Sequence, residues 1–233
     1  MEQPKQITKT GGRFLVTPIT DTNIFTREDF TEEQREIQEM VQGFCTEHIA
    51  PVKEELEKKD KDLTFSLLQK IAELGLLGIT VPEEYGGMEL DKITGAIVAE
   101  ASSYSECSSF VVTWSTNLGI GSLPIVWFGT PAQKEKYLPR LIDGTCIGAY
   151  GLTEPSAGSD ALSAKTTAVL SDDGKHYIIN GEKIFITNGG WADVYTVFAK
   201  VDGEKFTAFI VERDTPGFTP VSYTHLTLPT ILL

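Results

Sequence analysis

The chain has 233 residues, 41% of them hydrophobic, and a formal net charge of −13, so it can bury a substantial core but repels nucleic-acid backbones and anionic membrane surfaces. Its three cysteines, Cys45, Cys107 and Cys146, are odd in number and lack C-x-x-C spacing, which argues against a disulfide framework or a zinc site and for a reducing compartment. No apolar leader pattern marks "MEQPKQITKT" and no window reaches membrane-span length, so a cytoplasmic location without strong membrane association is expected.

In chain order, residues 1–27 read as an arm broken by Gly11, Gly12 and Pro18. A helical domain follows over 28–145. Thr31 is a natural N-cap, Gln34 completes a capping box, Phe30 can staple onto the first turns, and Ile37, Met40, Val41 and Phe44 share one face. Pro51 kinks or restarts this helix. The next helix, introduced by Thr64, carries Leu67, Leu68, Ile71 and Leu74 and stops at Gly75 to Gly78. After "ITVPEEYGG", an extended piece with a Gly-Gly turn, the long apolar text from Leu90 to Gly129 predicts packed core helices. "TPAQKEKYLPRLIDG" adds one more, with Thr130 as N-cap, Pro131 at the first position and Gly144 as the stop.

Near Cys146 the period changes from helical to alternating. "HYIING" and "EKIFIT" read as two strands joined by an Asn180-Gly181 hairpin turn; Asn188-Gly189-Gly190 and Asp202-Gly203 turn the chain again. A meander of about four antiparallel strands over 146–220, on a spacing typical of a small barrel or sandwich, is the expectation. Residues 221–233, "VSYTHLTLPTILL", lose the turn-and-charge rhythm and read as an artefactual tail, a translated sequencing adapter.

The densest polar cluster is "YGLTEPSAGSD", residues 150 to 160, which offers hydroxyls, carboxylates and small residues beside the helix-to-strand boundary. Such a turn can cradle an anion or the edge of a cofactor ring, or be a surface loop rich in turn formers. The spacings of a Rossmann G-x-G-x-x-G, a P-loop, H-E-x-x-H and G-x-S-x-G are all missing, and His48, His176 and His225 are isolated.

"YGLTEPSAGSD" followed by "KIFITNGG" at 183–190 closely resembles the paired signatures of the acyl-CoA dehydrogenase family, and the likeness runs through "VPEEYGG", "FGTPAQKEKYLPRL" and "FAKVDGEKFTAFIVERDTPGF" over about 28–220. "LTEPSAGSDA" and "ADVYTVFAK" are nearest to its very-long-chain branch. The resemblance implies three parts: an all-α N-terminal domain, a small antiparallel β-barrel, and a C-terminal four-helix bundle that this chain lacks. It also implies FAD between barrel and bundle. Tyr150, Leu152 and Thr153 then match the pyrimidine edge of the flavin, Ser159 the ligand and pyrophosphate region, Phe185 the ring packing and Thr187 the hydroxyl near N5, with Ile186 between them also counted as cofactor-binding. Family members commonly carry Trp where this chain has Phe185.

The reaction so implied is α,β-dehydrogenation of acyl-CoA thioesters in fatty-acid β-oxidation, with electron-transfer flavoprotein as acceptor and a homo-oligomer as the full-length form. The family's usual catalytic Glu lies in the missing bundle. Glu154 and Asp160 match structural positions of the motif, so no catalytic residue is assigned and the fragment is expected to be inactive alone. A flavin oxidase or nitroalkane-oxidising relative, or a non-catalytic interaction module, are the alternatives.

Overall fold

The structure, a computed structural model, describes residues 26–220 and 225–232, the latter by backbone only. Nearly all of the expected N-terminal arm lies outside the described residues.

Helix α1 (Glu32–Phe44) starts where its capping residues dictate: Thr31 Oγ1 accepts from Gln34 N at 3.1 Å, and Gln34 Oε1 accepts from Thr31 N at 3.1 Å. Ile37, Val41 and Phe44 are buried on its inner face. The chain then passes through a π turn (Cys45–Ile49) and a 3-10 turn (Ala50–Val52) into α2 (Lys53–Glu57), with Pro51 in the irregular stretch where a missing N–H costs least.

Helix α3 (Lys61–Glu73) corrects one expectation. Its cap is Asp60, whose carboxylate accepts from Leu63 N at 3.0 Å. Thr64 lies one turn inside, buried, its hydroxyl donating to Asp60 O at 2.7 Å. The carboxylate also suits the positive end of the helix dipole, so Asp60 takes the role the sequence reading gave to Thr64. Gly75, at φ +75°, ends the helix in the left-handed conformation. Helices α4 (Lys92–Ala101), α5 (Ser108–Thr116), α6 (Leu123–Phe128) and α7 (Pro131–Ile142) follow, α7 opening on a Thr130–Gln133 capping box.

The second half is a curled sheet, half of a barrel, made of β1 (Gly148–Gly151), β2 (Thr167–Leu170), β3 (Tyr177–Ile184), β4 (Val194–Val201), β5 (Lys205–Glu212), β6 (Thr219–Pro220) and β7 (His225–Leu232). One edge of β4 pairs with β5 along its whole length, turning back through Asp202 (φ +53°) and Gly203 (φ +77°) as expected. The other edge is shared. β1 pairs with its first half, from Gly148↔Val194 to Gly151↔Val197, and β2 with its end, at Thr167↔Lys200 and Ala168↔Val201. Both pairings are parallel, so the sheet is mixed and not the purely antiparallel meander expected.

Asn180-Gly181 is the clearest departure from the sequence reading. It makes no hairpin; β3 runs straight through it, with Asn180 paired to Thr167 of β2 and Gly181 to Leu228 of β7 across a register shift. A dipeptide that permits a tight turn does not impose one when ladders hold both edges. Glycine is required there for space, because a Cβ would lie 2.3 Å from Thr166 Oγ1. The hairpin into β3 is made earlier, between Ser171 and His176, with Gly174 at φ +68°. The segment set aside as a tail is described over 225–232 as β7, antiparallel along β3.

A continuous core joins the two halves. Val41, Leu68, Ile71, Phe110 and Trp114 from the helices cluster with Ala149, Ala168, Ile179, Tyr195 and Val197 from the sheet. No described helix is long and apolar enough to cross a membrane.

Candidate functional site

The shared edge of β4 creates the site. Between Gly151 and Thr167 the chain leaves the sheet, runs through a 15-residue excursion, and rejoins the same edge three positions further on. That excursion contains "LTEPSAGSD". A loop of this length needs internal anchoring to hold one shape.

The anchor is a buried ion pair. Lys183 is fully buried and Glu154 nearly so; Lys183 Nζ donates to Glu154 Oε1 at 2.7 Å and to the Leu152 carbonyl at 3.2 Å. Glu154 also accepts from Lys165 N at 2.5 Å, Thr166 N at 3.0 Å and the Thr166 hydroxyl. Burial works to raise the Glu154 pKa, but Lys183, Thr166 and the two amides outweigh it and hold the carboxyl down at about 2. Burial pushes the Lys183 ammonium below its usual value, with Glu154 opposing. A carboxylate so fully occupied braces the loop, as the motif implied. Asp160, exposed, makes its contribution through its carbonyl, which accepts from Ser163 N and Oγ.

This pair also ties the two motifs together. Lys183 belongs to the second segment and Leu152 and Glu154 to the first, while Ile184 N donates to Thr153 O at 2.9 Å. Sequence reasoning passed over Lys183; the available signal was a lysine two residues from Gly181 and four from Ile179 on the inward face of a strand.

Beyond β3 the backbone turns sharply. Phe185 stands at φ +58° and Asn188 at φ +63°, conformations that cost a side-chain-bearing residue energy and concentrate at functional turns. Asn188 is held by its amide, which donates to Thr113 O of α5 and Gly148 O of β1, both at 3.2 Å, while its buried Oδ1 has no partner. Phe185 is thereby held 72% exposed. Thr187, half-buried, lines a cavity of about 390 Å³ with Asn188, Trp191, Thr113, Phe110 and Leu56.

The other expected residues divide. Tyr150, Leu152 and Thr153 are half-buried at the end of β1, Tyr150 edge-on to Phe198 at 5.0 Å. Ser159 is exposed in mid-loop. The hydroxyls of Tyr150, Thr153, Ser159 and Thr187 make no hydrogen bond within the described residues. Ile186 lies in the core at 1% exposure, and its carbonyl accepts from Gly189 N at 2.9 Å. No group of His, Cys, Asp and Glu among the described residues could hold a metal ion.

An acidic brace under one loop, an exposed aromatic on a strained turn, and several unspent hydroxyls fit a flat conjugated ring with polar edges. The N-terminal-domain model of acyl-CoA dehydrogenases matches residues 31–145, and the middle-domain model matches 149–228. The chain belongs to the acyl-CoA dehydrogenase family. It is 50% identical over 207 residues to a probable acyl-CoA dehydrogenase of Bacillus subtilis, covering 89% of this chain and 34% of that protein. It is 41% identical to the human very long-chain specific acyl-CoA dehydrogenase, over 82% of this chain and 30% of that protein. A solved acyl-CoA dehydrogenase from Bacillus anthracis, complexed with FAD, superposes with a TM-score of 0.88 at 47% identity, over 96% of this chain and 41% of that one. This acyl-CoA dehydrogenase segment thus spans well under half of each of these three relatives.

Proposed function

We propose that the chain supplies the flavin-holding wall of an enzyme that dehydrogenates acyl-CoA thioesters at the α,β bond, with FAD as cofactor. The observation that carries this is the bonding of "GLTEP" to "KIFITNGG" through Lys183 and through Ile184 N to Thr153 O, which sets Thr153, Phe185 and Thr187 on one rigid framework. FAD, when bound, supplies the hydride-accepting chemistry. The chain's own residues orient and polarise. Tyr150, Leu152 and Thr153 hold the pyrimidine edge, where the Thr153 hydroxyl offers a donor to developing negative charge; Phe185 packs on the ring; Ile186, buried, fixes the turn between Phe185 and Thr187; Thr187 offers its hydroxyl near N5; and Ser159 serves the pyrophosphate and substrate region.

No catalytic base is assigned to this chain: Glu154, the carboxylate in the motif's core, is occupied by Lys183, Thr166 and two amides. Electron-transfer flavoprotein is the proposed acceptor, β-oxidation the setting, the cytoplasm the location, and a homo-oligomer the full-length form. On this reading the chain supplies one wall of the flavin site, so weak FAD retention and no turnover are expected of it when expressed alone.

The test is complementation. This chain, co-expressed with the remaining C-terminal part of the Bacillus subtilis relative, is expected to yield bound FAD that bleaches with an acyl-CoA. Thr187→Val should slow bleaching about 10²–10³-fold, the usual cost of one donor aimed at developing charge, while Thr196→Val should not. Equal rates for the two variants would remove Thr187 from the site, and a colourless complex would remove the flavin reading.

A further inference from the structure

Three consecutive residues of the excursion, Leu152, Thr153 and Glu154, have every main-chain carbonyl engaged. Leu152 O accepts from Lys183 Nζ at 3.2 Å, Thr153 O from Ile184 N at 2.9 Å, and Glu154 O from Ala157 N at 3.1 Å. The donors divide. Glu154 N donates to Ala157 O at 3.0 Å, whereas the Thr153 N–H, like the Thr153 hydroxyl, makes no hydrogen bond among the described residues, and Thr153 is only half-buried. Main-chain N–H groups nearly always find a partner in protein, water or ligand, so a segment whose acceptors are spent and whose donors are left over suits a ligand with an accepting edge.

The donor to Leu152 O is itself unusual. Lys183 is the one buried cation among the described residues. Bracing a loop does not call for buried charge, since an apolar pair of similar volume often stabilises as well or better. The charge has a second effect. The Leu152 C=O and the Thr153 N–H are opposite ends of one conjugated trans peptide unit and point in opposite directions. An ammonium at the oxygen draws electron density through that unit and makes the N–H a stronger donor; linked hydrogen bonds polarise one another in this way by roughly 10–30% each. Glu154 does not cancel the effect, because its carboxylate charge is shared among Lys183, Lys165 N, Thr166 N and the Thr166 hydroxyl.

We infer that Lys183 is a positioning residue for the flavin edge: held on the Leu152 carbonyl, its charge aims and strengthens the Thr153 N–H and so favours the reduced cofactor over the oxidised one. This rests on the flavin reading above and names the residue that tunes it. The reduced ring carries added negative charge at its pyrimidine edge, where a fixed donor gains most.

The test is the midpoint potential of the flavin, read by its absorbance during reductive titration, in the complex of this chain with the remaining C-terminal part of the Bacillus subtilis relative. Lys183→Met is expected to weaken binding of reduced relative to oxidised flavin at least about tenfold, a fall of about 30 mV for a two-electron couple. If that variant does not assemble, Lys183→Met combined with Glu154→Gln takes its place, because it leaves no uncompensated buried charge. Thr166→Val loosens the brace but leaves Lys183 on both its acceptors, so it should lower stability and leave the potential unmoved. A yellow complex whose potential is the same in wild type and the Lys183 variant, or falls equally in Thr166→Val, would overturn the inference and leave the flavin reading standing. A colourless wild-type complex would overturn both.

Discussion

Lys183 and Glu154 show how much can rest on two side chains. Removing one partner of a buried pair leaves the other charge uncompensated, so Lys183→Met is expected to lower unfolding free energy by about 3–5 kcal/mol at pH 7, read by urea denaturation. The acid dependence follows from Glu154. Its folded pKa, about 2, is below its ordinary 4.5, so its stabilisation is present above pH 4.5 and is lost as pH falls toward 2. That difference corresponds to on the order of 3 kcal/mol. The acid unfolding midpoint of Lys183→Met should therefore move to higher pH, and the gap between wild type and variant should narrow at pH 2; a constant gap would mean that the pair is not the source. Thr196 is the opposite case. Its hydroxyl is buried and unpartnered, so Thr196→Val should leave stability unchanged or raise it by up to about 1 kcal/mol, measured by thermal unfolding.

At the scale of elements, the turn after β3 depends on Asn188, which bonds α5 to β1 from a left-handed conformation. Asn188→Ala loses both hydrogen bonds and adds backbone strain, so a loss of about 2–4 kcal/mol is expected; Asn188→Gly, losing the bonds but not the conformation, should cost less. The same measurement on Gly181→Ala should show destabilisation exceeding the usual 1 kcal/mol of a strand substitution, because the new methyl meets Thr166. What the sequence made legible divides along physical lines. Helix starts at Thr31 and Thr130 were readable because capping is written in four adjacent residues. Asn180-Gly181 misled because a turn signal is local whereas the two ladders that override it come from segments far along the chain. The motif residues around Thr153 and Thr187 were visible as a pattern, but the tie through Lys183 was not, since nothing in a lysine's sequence neighbourhood announces a buried carboxylate 29 residues away.

For the whole molecule, several large apolar side chains remain exposed. Val112, Ile120, Trp127, Phe128 and Phe185 are each between 46% and 84% exposed. Large apolar side chains in water favour association, so light scattering at micromolar concentration should report oligomers, and Phe128→Ser with Trp127→Gln should shift them toward monomer. A clean wild-type monomer would contradict this. The division of one β4 edge between β1 and β2 has a consequence for the integrity of the chain. Both ends of the excursion are stitched to the same strand, at Val197 and Lys200, only about 10 Å apart at ordinary strand rise. A protease that cuts the exposed peptide near Ser159 would therefore sever the covalent thread without parting the body: the two pieces should migrate as one under native conditions and separate only in denaturant.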